Sequence, residues 1–131
     1  MKILPLYASI LALLFVALSV RTLRLRHRLK IGIGDAGNTQ MLRAMRVHSN
    51  FAEYVPLSLL LLYLVEVQGG WPLLVHALGL CLVTGRLAHA YGVSRTNENF
   101  NFRIAAMAMT FTVLVTTSLF LLVGHVRSSW L

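Results

Sequence analysis

Apolar residues gather in four long blocks, at about residues 3–20, 52–67, 71–91 and 104–124. None of them alternates in the way a membrane β-strand must. Leu59-Leu60-Leu61-Leu62, for example, has no polar partner facing a lumen. Each block is near the ~20 residues that cross ~30 Å of hydrocarbon at ~1.5 Å per residue. A backbone deprived of water must satisfy its own hydrogen bonds, and a helix does so within one segment. The pattern therefore predicts an all-α fold. It is a four-transmembrane-helix bundle forming one membrane domain over 1–131, with helices over about 3–30, 39–67, 71–92 and 102–125. Pro5 falls in the first turn of the first helix and Pro72 at the start of the third, where a missing N–H leaves no helical bond unmade.

The polar residues between the blocks set the orientation. Arg21 to Arg46 holds seven Lys and Arg against the single acid Asp35, and Arg86 to Arg103 holds three more arginines. The second connection, Gln68-Gly69-Gly70, carries no charge and reads as a tight hairpin on the other side. The positive-inside rule then puts the basic connections in the cytoplasm and both termini on the non-cytoplasmic side, with Lys2 and Arg127 as minor counter-signals. Tyr7, Trp71 and Trp130 are the aromatics expected at the outer interface. The charges after the first block (Arg21, Arg24, Arg26, Arg28), with no small-residue cleavage site, predict a retained helix rather than a signal peptide.

Composition agrees with a lipid solvent. Hydrophobic residues make up 57% of the 131 and charged residues 12%, about half the charged share of a soluble domain. The excess of 12 Lys and Arg over 4 Asp and Glu does not point to nucleic acid, because the cations sit at the ends of apolar blocks. Cys81 stands alone, which excludes an intrachain disulfide, and the five histidines show no metal-ligand spacing beside a carboxylate. Gly32-Ile33-Gly34-Asp35-Ala36-Gly37 matches a dinucleotide fingerprint by letter but lacks the strand and βαβ context, and reads as a loop. Ser49, Ser58 and Ser94 have no His/Asp partners in sequence to make a hydrolase.

The second helix carries polar residues that lipid does not tolerate unpaired. Arg43, Arg46, Asn50 and Glu53 fall within an arc of about 80° at ~100° per residue. They form a stripe descending from the basic surface, with apolar Leu57 as its floor, while His48 points nearly the opposite way. Glu53 at this depth needs a cation, from Arg46 or from a neighbouring helix. One reading is an ion-pair and hydrogen-bond network that holds the bundle. The other is a socket for a small zwitterion, with arginines clamping carboxylates and Glu53 accepting from an ammonium group. Arg86 and His89 share a face of the third helix, and Arg103 opens the fourth. Arg21, Arg26, Lys30 and Arg95 read as topology residues with snorkelling side chains.

The run Arg46-Val47-His48-Ser49-Asn50-Phe51-Ala52-Glu53-Tyr54-Val55-Pro56 resembles the second helix of the membrane-associated proteins in eicosanoid and glutathione metabolism, the MAPEG family. Helix count, the short second loop, the basic side and chain length extend the resemblance over the whole chain, and Gly34-Asp35-Ala36-Gly37 looks like its bacterial inner-membrane branch. The resemblance implies a homotrimer that binds glutathione between subunits at the cytoplasmic leaflet. By motif position, Arg46, Asn50, Glu53 and Tyr54 correspond to glutathione contacts, and Arg43 to a commonly basic position one turn earlier. Arg24, in Leu23-Arg24-Leu25-Arg26, resembles an arginine ending the first helix, and His89 a contact on the third. Arg103, in Asn101-Phe102-Arg103-Ile104-Ala105, resembles the catalytic arginine that stabilises the thiolate. Val93 departs from the tyrosine of several relatives, and Gly92 to Phe102 aligns only with a gap.

The expectation is thus a glutathione-dependent transferase or peroxidase acting on apolar electrophiles or lipid hydroperoxides. The alternatives are a non-catalytic lipid- or glutathione-binding protein, a transporter component, and an assembly protein. Glu53 turned outward into acyl chains, or a bundle with no cavity open at its basic side, would count against the expectation.

Overall fold

The computed structural model describes residues 2–95, 97 and 99–129. Among these residues it has four helices: α1 (Leu4–Leu29), α2 (Thr39–Val67), α3 (Pro72–Ser94) and α4 (Phe100–Ser129). All four are long and apolar enough to cross a membrane. Even α3, with 23 residues, reaches about 35 Å at ~1.5 Å per residue. The helices run alternately up and down. Both chain ends therefore lie at one end of the bundle, and the basic α1–α2 loop and the α3–α4 connection lie at the other. Trp130, expected as an interfacial aromatic, lies outside the described residues.

Helix α2 touches all three others, α3 packs closely on α4, and α1 and α4 flank the pair without meeting. Enclosure follows from this arrangement. In the most apolar stretch of each helix, 44% of α3 is buried within the chain but only 11% of α1. Helix α1 therefore depends on a few specific contacts. At its first turn the Ile3 and Leu4 amides, which have no intrahelical acceptor, donate to the Glu66 carboxylate near the end of α2. Glu66 is half-buried there and acts as a cap. Sequence had suggested no such partner, because the two residues are more than sixty positions apart. One turn further, the Tyr7 ring lies flat against Gly79 of α3, in space a Cβ would fill. Its hydroxyl bonds to His76 Nδ1 at 3.0 Å. Tyr7 is therefore buried in the bundle rather than exposed at the interface as expected.

The opposite end is tied by polar contacts. Lys30 adopts a left-handed conformation (φ 54°), and the Ile31 amide returns to the Arg26 carbonyl at 3.1 Å, closing α1. The Arg26 guanidinium then donates to the Gly34 carbonyl at 3.0 Å. Gly34 and Gly37 sit at φ 69° and 72°, a left-handed conformation that favours glycine in these turns. The Asn38 side chain accepts from the Met41 amide at 2.9 Å and starts α2. His48, pointing away from the stripe, meets α1: it stacks on Phe15 and bonds to Ser19 Oγ at 3.0 Å.

Candidate functional site

The N-cap at Asn38 begins α2 five residues ahead of Arg43, so its first turns rise from the basic loop with their cations turned toward α3 and α4. There a cavity of about 330 Å³ opens, lined by Thr39, Leu42, Arg43, Arg46 and Asn50 of α2, His89 and Val93 of α3, and Arg103 of α4. That volume is at the small end of ordinary small-molecule sites. Arg43 is half-buried and donates to the Val93 carbonyl at 3.1 Å. Arg46 and Arg103 are exposed at the rim, and His89 is buried in the wall. Asn50 lies deepest on α2, about 16 Å along the helix from Thr39 at ~1.5 Å per residue. No carboxylate is among the described lining residues.

Five residues singled out from sequence thus meet in one cavity: Arg43, Arg46, Asn50, His89 and Arg103. Three do not. Arg24 lines a separate crevice with Arg21, Arg28 and Gln40, between α1 and the first turn of α2. Glu53 lies one turn deeper than Asn50, at the edge of the polar arc, and is exposed on the outside of the single chain. Tyr54 is half-buried and meets Phe111 of α4 edge to face, with ring centroids 5.8 Å apart. A common helical arc does not impose a common depth: the cavity lining on α2 ends at Asn50 and leaves out Glu53 and Tyr54.

Arg86 did not figure among the expected ligand contacts, yet it is the most buried charged side chain among the described residues. It is 1% exposed. One terminal nitrogen donates to Asn50 Oδ1 at 2.8 Å. The other donates to Thr110 Oγ1 and the Ala106 carbonyl, and lies 3.7 Å from Met107 Sδ. Gly85 makes this possible: a Cβ there would come within 3.2 Å of the Ala106 carbonyl and force α4 away. The available sequence signal was an arginine well inside an apolar block, directly after a glycine.

Two further grooves are apolar. One runs between α1 and α2, past Ala8, Ala12, Phe15, Ala52 and Leu59, with about 270 Å³. The other follows the outer face of α4 along Phe100, Ile104, Met107, Ala108 and Phe111, and Arg103 lines it too. Arg103 therefore stands where the basic cavity meets an apolar groove.

With this geometry established, comparison with known proteins is decisive on kinship. The profile of the MAPEG family matches residues 4–124, spanning all four helices. The chain belongs to the MAPEG family. It is also 34% identical over 110 residues to inner membrane protein YecN of Escherichia coli K12, covering 84% of this chain and 82% of that protein. The YecN of E. coli strain CFT073 gives the same figures. This MAPEG-family chain is accordingly an integral membrane protein of the inner-membrane kind.

Proposed function

We propose that this protein is a glutathione-dependent transferase or peroxidase that works at the cytoplasmic leaflet of the inner membrane as a homotrimer. One observation carries the reading: Arg103 lines both a cavity rich in cations and an apolar groove open to lipid. A water-soluble anion can enter from the basic end, and an apolar partner from the bilayer, with a guanidinium between them.

The donor set suits a dicarboxylate peptide. Arginines bind carboxylates through paired N–H donors, and Arg43, Arg46 and Arg103 surround the cavity. When bound, glutathione supplies a thiol, ordinarily titrating near about 8.5, that as thiolate attacks an electrophile or reduces a hydroperoxide. Arg103 would hold that sulfur in its anionic form, because a nearby positive charge favours the thiolate. His89 and Asn50 would orient the peptide from the wall.

Glu53, exposed on a single chain, fits this reading only if that face is covered. A lone carboxylate at this depth costs several kcal/mol. A neighbouring protomer would supply the cation and the cover, and Glu53 would then reach a ligand lying between subunits. The same packing would bring Arg24, remote from its own cavity, toward a neighbour's. Without such an assembly, Glu53 faces acyl chains and the reading fails.

The test is purified protein in nanodiscs, assayed for glutathione binding and for conjugation of a model electrophile. Arg103→Ala should bind glutathione but lose most turnover, and Glu53→Ala should lose affinity. Unchanged conjugation in both variants overturns the mechanism. Glutathione binding without turnover or thiolate absorbance in the wild type would favour a non-catalytic binding protein.

A further inference from the structure

Arg86 differs from every other arginine in the chain. It is enclosed by α2, α3 and α4, and the described residues around it supply no carboxylate. A buried cation without an anion is costly unless its donors are satisfied. Its terminal donors are satisfied here by neutral oxygens: Asn50 Oδ1, Thr110 Oγ1 and the Ala106 carbonyl. Nε is buried without a partner among the described residues. Simple tethering of three helices does not require a charge, and an apolar side chain of similar volume would pack there at lower cost.

The charge matters for Asn50. A guanidinium can only donate, so the atom of Asn50 that meets it must be the oxygen. An asparagine amide on its own can turn either way, and its orientation is set by its neighbours. With Oδ1 held at 2.8 Å by Arg86, the two Nδ2 hydrogens are left for the cavity that Asn50 lines. We propose that Arg86 is a positioning residue: it locks the Asn50 amide so that its NH₂ is presented to the cavity as a fixed donor to a ligand carboxylate. The cavity then offers donors at its deepest point as well as at its rim, and selects for carboxylate-bearing ligands over neutral or cationic ones. This rests on the glutathione reading and names how its floor chooses the ligand.

Two variants in nanodiscs test it. Asn50→Asp keeps an acceptor for Arg86, and so keeps the packing, but removes the donor. Arg86→Met removes the charge and leaves the amide free to turn. Glutathione and succinate, a dicarboxylate without a thiol, are titrated against wild type and both variants, with thermal unfolding recorded alongside. Asn50→Asp should unfold no earlier than wild type, yet bind both ligands at least about tenfold more weakly, from the lost hydrogen bond to a charged group and the like charge added to the cavity. Arg86→Met should show a similar loss, and the double variant should be no weaker than Asn50→Asp alone. If Arg86→Met fails to fold, Arg86→Gln takes its place, because a glutamine amide can both donate and accept and so no longer fixes which end of Asn50 faces it. Wild-type affinity in Asn50→Asp, or in a folded Arg86→Met, overturns the proposal and leaves Arg86 as a tether. Wild type that binds succinate but not glutathione overturns the proposed function while the variants still test the positioning role. Wild type that binds neither overturns both.

Discussion

Replacing Glu66 by alanine tests whether α1 is held to the bundle at its N-terminus by a side chain from another helix. The carboxylate accepts from two amides, Ile3 and Leu4, that have no other acceptor inside their helix. A hydrogen bond to a charged group is worth about 1.5–3 kcal/mol, and a carboxylate at a helix N-terminus gains a further ~0.3–1 kcal/mol from the macrodipole. Glu66 is only half-buried, so water can replace part of the loss. The expected cost of Glu66→Ala is therefore about 2–3 kcal/mol, below the ~3–7 kcal/mol that two fully buried bonds and the macrodipole would give together. Glu66→Gln keeps one acceptor oxygen and should cost about 1 kcal/mol. Detergent-micelle unfolding followed by the fluorescence of Trp71, five residues beyond Glu66, reads the global effect. Hydrogen exchange of the Leu4 to Tyr7 amides reads the local one. Because α1 is the least enclosed helix, exchange should rise there before it rises in α3. Unfolding within ~0.5 kcal/mol of wild type, with unchanged exchange at those amides, would refute the capping argument.

Two further outcomes follow from the packing. Gly79→Ala places a Cβ where the Tyr7 ring now sits, so the ring must move and its bond to His76 must break; the expected loss is about 1–3 kcal/mol, read by thermal unfolding. Asn38→Ala removes the N-cap of α2 at a cost of about 1 kcal/mol, and should speed amide exchange over the turn that precedes Arg43.

Much of the architecture was legible because lipid constrains a chain so strictly. A block of about twenty apolar residues has one economical conformation in hydrocarbon, and four such blocks with charges between them predict four helices. Two of their starts were legible as well: Pro5 and Pro72 are residues whose chemistry marks a helix start. Helical periodicity also gathered Arg43, Arg46 and Asn50 correctly, since residues on one helix keep their spacing whatever packs against it. The addition of His89 and Arg103 came from resemblance, and the cavity brings both into range.

Periodicity stops at the single helix, and the remaining decisions belong to contacts between helices. Glu53 shares the arc of Asn50, but where α3 and α4 end their cover determines that one faces the cavity and the other the outside. Arg86 looked like a companion of His89 on one face. Only the approach of α4 over Gly85 turns it into a buried cation gripping Asn50. Nothing in the spacing of Glu66 links it to α1, and only the return of α1 beside the end of α2 makes it a cap. The sequence by itself determined the membrane helices and the polar stripe of Arg43, Arg46 and Asn50 on one of them, because those follow from solvent and from spacing along one axis. Which polar residues share a cavity, which are buried and which end of the Asn50 amide meets Arg86 were decided by tertiary packing, because burial depends on how closely separate helices approach.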